Sequence, residues 1–170
     1  MNKEDIKVNF FTESLTLAQR AIYTGIIVSI VAYWSISSNE DPQFYTIPVI
    51  SVKVPTFEAF TLTMLLLYLL CGVVASFAVL KAIDNWKSIA DKELANTLLQ
   101  MPNTLLGNRF LRAVSYGFFF MIGFTLAEAI FDYSYYQTYF LSCVLASPYF
   151  VATSYTSDLS PHKIQPLEQG

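Results

Sequence analysis

The sequence predicts an all-α integral membrane protein: a four-helix bundle of transmembrane helices with a helical extension after the second span. Of the 170 residues, 54% are hydrophobic and 14% are charged, and the mean hydropathy is +0.45. The apolar residues form long runs, and a bilayer core requires about 20 such residues per helix. The basic residues are also distributed very unequally between the connecting segments. Together these features favour a polytopic membrane protein over a soluble domain.

Several functional classes conflict with the composition. A net charge of -3 excludes a basic nucleic-acid-binding protein. Cys71 and Cys143 lie inside apolar runs without a CxxC pair, and His162 is the only histidine, so neither dithiol chemistry nor bis-histidine haem ligation is expected. There is no recognisable catalytic, phosphate-binding or metal-ligating motif. We therefore expect a protein that is not an enzyme and that has no cofactor and no metal site.

The first span is predicted at about residues 19–37, and the mixed charges before it are unlike a signal peptide. A loop from Ser38 to Thr56 follows. Within it, residues 49–54 have an extended pattern between Pro48 and Pro55. Two arrangements are open for this stretch: a loop packed over the bundle, which we favour, or an edge that pairs with a neighbouring subunit.

The second span is predicted at about residues 58–82, because Ala59 to Leu80 contains no charge. The helical period continues beyond it and predicts an amphipathic helix over about residues 82–101. Its apolar stripe is a candidate partner surface consisting of Ile83, Trp86, Ala90, Leu94, Leu98 and Met101. Because the charges of this segment cancel, we expect it to face a protein; a helix that covers the bundle remains an equal alternative.

The third and fourth spans are predicted at about residues 110–131 and 135–155, joined by a tight hairpin. Pro148 predicts a kink in the fourth span. Residues 1–156 would then form one transmembrane domain, and residues 157–170, which contain two prolines, are predicted to be a disordered tail.

The orientation follows from the basic residues. Nine lie on one side of the predicted spans and Lys53 alone lies on the other: Lys3, Lys7, Arg20, Lys81, Lys87, Lys92, Arg109, Arg112 and Lys163. The positive-inside rule therefore predicts a multi-pass cell-membrane protein with both termini in the cytoplasm.

Acidic residues gather at the opposite end, where Glu58, Glu128, Asp132 and Gln137 form a candidate ion or proton site. Glu58 shares a helical stripe with Leu62, Leu65 and Gly72, which predicts that it points into the bundle. The competing and favoured interpretation is that these side chains are solvated or cap helix ends, because they lie near the surface.

The fourth span carries a second candidate face of small and polar residues: Thr138, Ser142, Ala146, Tyr149 and Thr153. Such a face lines a water-filled path or packs against other helices, and packing is the commoner use. Small residues at intervals of four also occur in the first span at Ala21, Gly25 and Ser29, and in the third at Gly123 and Ala127. They indicate tight packing within the chain or between subunits.

The leading functional hypothesis is a non-catalytic membrane subunit. It would self-associate as a homo-oligomer in the lipid bilayer and present its cytoplasmic helix to a soluble protein partner. Small membrane components of bacterial multi-protein systems, for example in defence or stress sensing, have this architecture. The alternative is a small ion channel or transporter that uses the outer carboxylates and the polar fourth-helix face.

Overall fold

The structure, a computed structural model, describes residues 3–37, 45–47, 52–54, 56–100, 104–106, 109–130 and 134–159. Within these residues the chain forms five α-helices, two 3₁₀ turns and one short β-hairpin. The helices contain most of the described residues, which confirms the all-α prediction.

Helix α1 covers Lys3–Ser37, so the helix contains the predicted first span, about residues 19–37, and begins 16 residues before it. Its 35 residues correspond to about 52 Å at ~1.5 Å per residue, well beyond the ~30 Å of a hydrocarbon core. The additional turns are amphipathic: Phe11, Leu15, Ala18 and Ile22 recur at helical spacing and are buried. The first turns are therefore stabilised by packing, although their charges exclude them from a span.

A β-hairpin connects α1 to α2. Strand β1, Tyr45–Ile47, pairs antiparallel with β2, Val52–Val54, in the register Tyr45 to Val54. The extended pattern was thus correctly recognised in its last three residues, and the strand pairs within its own chain. The hairpin contacts the beginning of α2.

Helix α2, Phe57–Lys87, begins after the N-cap Thr56, whose hydroxyl accepts a hydrogen bond from the N–H of Ala59. The predicted continuous helix to residue 101 is wrong, because α2 ends at Lys87 and a separate helix α3 covers Lys92–Leu98. Asp91 is the N-cap of α3 and accepts from the N–H groups of Glu93 and Leu94 at 2.9 and 3.1 Å.

Helices α4, Arg109–Ile130, and α5, Tyr135–Tyr155, pack against each other. Pro148 lies inside α5 and lacks the N–H that would bond to the carbonyl of Val144. The Ser147 hydroxyl donates to that carbonyl at 2.7 Å. The proline is therefore accommodated without an unsatisfied acceptor at this turn.

Helix α2 packs against α1 on one side and against α5 on the other. Helix α4 packs on α5 and approaches α1 only loosely, so the order around the bundle is α1, α2, α5, α4. By length and composition, α1 and α2 are able to cross a membrane. Helix α4 contributes a further apolar stretch, Val114–Glu128, among the described residues.

One end of the bundle carries a compact extension, here called the cap. It consists of residues 3–18, 82–100, 104–106 and 156–159. Its buried apolar side chains include Phe11, Ile83, Ile89, Leu98, Leu105 and Leu159. Leu159 belongs to the 3₁₀ turn Thr156–Leu159 and is fully buried, so the predicted disordered tail is wrong for residues 157–159. Residues 160–170 lie outside the described part.

Candidate functional site

The outer carboxylates are placed at the end of the bundle opposite the cap, here called the carboxylate end. Glu58 and Glu128 are both exposed, and Asp132 lies outside the described residues. The expectation that Glu58 points inward is wrong, because it begins the row Leu62, Leu66, Leu70 at intervals of four, and these three side chains are all exposed. An exposed carboxylate retains its water and needs no bound cation for compensation.

Gln137 serves as a helix cap. Its Oε1 atom accepts hydrogen bonds from the N–H and the hydroxyl of Ser134, each at 3.1 Å. Ser134 and Gln137 thus form a capping box at the beginning of α5. Within the described residues, no group of three or more His, Cys, Asp or Glu side chains could hold a metal ion.

The polar face of α5 is buried in the bundle. Thr138, Ser142, Ala146, Tyr149 and Thr153 are each at most 5% exposed. The Ser142 and Thr153 hydroxyls donate to the carbonyls of Thr138 and Tyr149 in their own helix, at 2.6 and 2.7 Å. Polar atoms that are buried and satisfied in this way support the packing interpretation of the face rather than a water-filled path.

Tyr149 is the centre of this packing. Its ring lies in the space left by two glycines, because a Cβ atom on Gly25 would meet the Tyr149 hydroxyl oxygen at 2.1 Å and one on Gly72 would meet Cε2 at 2.7 Å. Its hydroxyl donates to the carbonyl of Tyr68 at 2.7 Å. One side chain of α5 therefore reaches both α1 and α2.

An aromatic stack joins α2, α4 and α5. The Tyr149 ring centroid lies 4.6 Å from that of Tyr68 and 4.5 Å from that of Phe119, in stacked geometry. The Tyr68 hydroxyl donates to the carbonyl of Phe119 at 3.0 Å. Sequence analysis did not single out Tyr68 or Phe119. A signal was present for Tyr68, since a tyrosine in an uncharged apolar helix needs a partner for its hydroxyl.

The small residues predicted to mediate packing do so within the chain. Ala21, Gly25 and Ser29 are buried on α1, and a Cβ atom on Gly123 would lie 3.1 Å from the carbonyl oxygen of Ser142 on α5. Gly117 differs from them: it is exposed, and a Cβ atom there would have nothing within 4 Å.

The apolar stripe predicted as a partner surface is divided by the structure. Ile83 and Leu98 are buried in the cap, Leu94 is half-buried, Ala90 is exposed, and Met101 lies outside the described residues. The indole N–H of Trp86 donates to the carbonyl of Ala95 at 2.9 Å and joins α2 to α3. The stripe therefore packs mainly within its own chain, and the exposed surface of α3 consists mostly of polar and charged side chains.

The first helix closes the cap. Lys7 donates from its ammonium group to the carbonyl of Ser88 at the C-terminus of α2. A cation at a helix C-terminus is favourable because it complements the partial negative charge of the terminal carbonyls. The N-terminal turns of α1 are thus joined to the turn between α2 and α3.

The chain was compared with models of known protein families, with curated proteins and with solved structures, and none of the three comparisons finds a match.

Proposed function

We propose that the chain is a four-span integral membrane protein with both termini in the cytoplasm. It acts as a non-catalytic subunit that self-associates and presents its cap to a soluble protein. The observation that carries the proposal is the chemistry of the outward faces of α4 and α5. Their exposed side chains are predominantly apolar or aromatic, as are those of residues 23–34 of α1 and 62–77 of α2, whereas a water-exposed bundle would carry charged residues on these faces.

The outward surface is free of charge over one continuous band. Residues 23–34, 62–77, 114–127 and 135–155 contain no Asp, Glu, Lys or Arg. These stretches lie side by side, because Tyr149 touches the positions of Gly25 and Gly72 and stacks on Phe119. The four stretches contain 12, 16, 14 and 21 residues. At ~1.5 Å per residue these correspond to about 18–32 Å, compared with ~30 Å for the hydrocarbon core of a bilayer.

The proposed orientation rests on the basic residues at the cap end of this band. Lys7, Lys81, Lys87 and Lys92 belong to the cap or adjoin it, and Lys53 belongs to the hairpin at the carboxylate end. The positive-inside rule then places the cap in the cytoplasm.

Two surfaces of the cap are available to other proteins. Phe10 and Leu17 on α1 are each 52% exposed although they precede the charge-free band, and we propose that a second copy covers them. Ala90, Lys92, Glu93, Thr97 and Gln100 form an exposed, mainly polar surface on and around α3. This surface replaces the apolar stripe as the proposed contact for a soluble partner.

Cysteine accessibility tests the four-span arrangement. Single cysteines replace Lys53, Lys92 or Asp132 in a background in which Cys71 and Cys143 are changed to Ala. An impermeant maleimide added to intact cells should label the Lys53 and Asp132 positions, and the Lys92 position only after permeabilisation. Labelling of the Asp132 position together with Lys92 would leave two spans, α1 and α2, and refute the four-span proposal.

Self-association and partner binding have separate tests. The variant Phe10→Asn with Leu17→Asn should lower the oligomer mass in detergent, whereas Glu13→Gln, on the exposed surface between them, should not. A photo-crosslinking residue at Ala90 or Thr97 should trap a discrete cytoplasmic protein, and one at Glu58 should not. An unchanged mass, or no adduct specific to the cap, would remove the corresponding part of the proposal.

A further inference from the structure

Helices α1 and α4 form the loosest seam of the bundle, and a cleft of about 220 Å³ remains between them. The cleft lies towards the carboxylate end, within the charge-free band. Its apolar walls consist of Ile30 and Tyr33 on α1 and of Phe118, Met121, Ile122 and Leu126 on α4.

Two of the hydroxyl groups that line the cleft, those of Ser29 and Thr125, are already hydrogen-bonded within their own helices. The Ser29 hydroxyl donates to the carbonyl of Gly25 at 2.7 Å, and the Thr125 hydroxyl donates to that of Met121 at 3.0 Å. A polar occupant would lose hydrogen bonds to water without regaining them from these two residues. The lining therefore favours an aliphatic occupant.

The width of the seam limits what can enter. Helices α1 and α4 still approach each other within 8 Å between Cα atoms. A further helix, whose diameter with side chains is about 10–12 Å, cannot insert between two helices that pack this closely. The cleft beside their contact has a volume of about 220 Å³ and can hold part of one aliphatic chain, so we favour such a chain over the helix of a second copy as the occupant.

We propose that the cleft holds one acyl chain of a membrane lipid, intercalated between α1 and α4. This inference rests on the proposed four-span arrangement, because only then does the seam open to the hydrocarbon core. The chain fills space that the protein leaves empty and adds dispersion contacts along both helices.

Photolabelling of the full-length protein tests this site. The protein is reconstituted into phosphatidylcholine vesicles that contain a phosphatidylcholine with a diazirine in its acyl chain, and adducts are mapped by mass spectrometry. Ile30 and Met121 line the cleft and are 55% and 60% exposed, while Leu66 and Leu70 on α2 are 54% and 57% exposed and serve as matched controls. We expect at least about threefold more label in the cleft, equivalent to ~0.6 kcal/mol at 25 °C.

Cleft-filling variants provide the second arm. Ser29→Leu with Thr125→Leu should abolish the excess labelling in the cleft and leave that of Leu66 and Leu70 unchanged. The matched control is Ser147→Leu with Thr63→Leu. Both of its hydroxyls also bond to carbonyls of their own helices, Val144 and Ala59, each at 2.7 Å, and neither residue lines the cleft. The control pair should keep the excess.

The remaining outcomes overturn the inference in distinguishable ways. Equal labelling of the cleft and the control positions means that only bulk lipid contacts α1 and α4. A cleft that is protected from label, combined with a change of oligomer mass on filling, means that a second copy occupies it. If Leu66 and Leu70 also remain unlabelled, the bundle is not embedded in lipid, and the proposed four-span function fails together with the acyl-chain site.

Discussion

The central packing of Tyr149 gives a quantitative prediction about three glycines. Substitution of Gly25 by Ala places a methyl group 2.1 Å from the Tyr149 hydroxyl oxygen and 3.0 Å from Cζ. Substitution of Gly72 by Ala places one 2.7 and 2.9 Å from the ring carbons Cε2 and Cδ2. At Gly117 the added methyl meets nothing within 4 Å. The same chemical change is therefore expected to have opposite effects at different positions.

The magnitudes follow from two opposing contributions. Overpacking of a filled core costs about 1–3 kcal/mol, while Ala is favoured over Gly in a helix by ~0.8–1.0 kcal/mol. At Gly25 the tyrosine must also withdraw from the carbonyl of Tyr68, and an interhelical hydrogen bond in a membrane contributes ~0.6 kcal/mol on average. We expect Gly25→Ala and Gly72→Ala to destabilise the bundle by about 1–2 kcal/mol. Gly117→Ala should be neutral or stabilising by up to ~1 kcal/mol.

Tyr149→Phe distinguishes the two buried glycines. Removal of the hydroxyl relieves the contact at Gly25, so the double variant Gly25→Ala with Tyr149→Phe should lose less stability than the sum of its single variants. The contacts at Gly72 are with ring carbons that Phe retains, so that pair should be additive within about 0.5 kcal/mol. The free energy of unfolding is measured by circular dichroism during SDS titration in mixed micelles. Equal losses of stability for Gly25→Ala and Gly117→Ala would refute the placement of the Tyr149 ring against the two buried glycines. Equal coupling energies between Tyr149→Phe and the two glycine variants would refute it as well.

Three further outcomes test other parts of the structure. Leu159→Ala should cost about 2–4 kcal/mol, because this side chain is fully buried in the cap, and a loss below ~0.5 kcal/mol would mean that the C-terminal turn is not packed. Asp91→Ala should lower the hydrogen-exchange protection of α3 by a factor equivalent to ~1 kcal/mol, whereas Asp91→Ser should retain most of that protection. Equal protection in the two variants would contradict the role of Asp91 as the N-cap. Ion flux into proteoliposomes that contain the wild type should not exceed that into protein-free vesicles, and the variants Glu58→Gln and Glu128→Gln should not change this. An ion flux that depends on either carboxylate would restore the channel hypothesis.

The sequence predicted the helices that are uniformly apolar and missed those that depend on tertiary packing. Helices α4 and α5 begin and end within a few residues of the expected positions, and α2 begins within a few residues of its expected position, because long apolar runs determine them. The first turns of α1 were missed because their charges obscured the spacing of Phe11, Leu15 and Ala18. That periodicity is present in the sequence, but it predicts a helix only if a second surface is available to bury it.

The break between α2 and α3 shows how two local signals compete. Lys87 and Asp91 have the spacing of a helical ion pair, which stabilises a continuous helix by ~0.2–0.5 kcal/mol. Asp91 as an N-cap contributes ~1 kcal/mol to a new helix. The turn also brings the Trp86 indole to the carbonyl of Ala95 and buries Leu98. The free energy gained from capping and burial together exceeds that of the ion pair. The spacing of residues in a single sequence does not reveal which side chains the turn will bury.

The residues of the buried α5 face were predicted from the sequence, but the residues that Tyr149 contacts were not. The polar face of α5 was identified from its spacing, and the structure buries all five of its residues. The residues that receive Tyr149 lie on other helices: Gly25 and Tyr68 are separated from it by 124 and 81 positions along the sequence. No local sequence pattern links residues at such separations. The contacts of Tyr149 can therefore be identified only when α1, α2 and α5 are packed together.

The hydrogen bonds of α5 suggest how the bundle selects its arrangement. The hydroxyls of Ser142, Ser147 and Thr153 bond to carbonyls of their own helix, so α5 satisfies these groups in any apolar environment without a neighbour. The hydroxyl of Tyr149 has its partner on α2 and obtains that bond only when α5 packs there. Because an unsatisfied hydroxyl in hydrocarbon is costly, Tyr149 favours this one arrangement over alternatives that bury similar apolar area. Tyr149, which contacts α1, α2 and α4 from α5, is therefore also the residue that specifies how these helices are arranged.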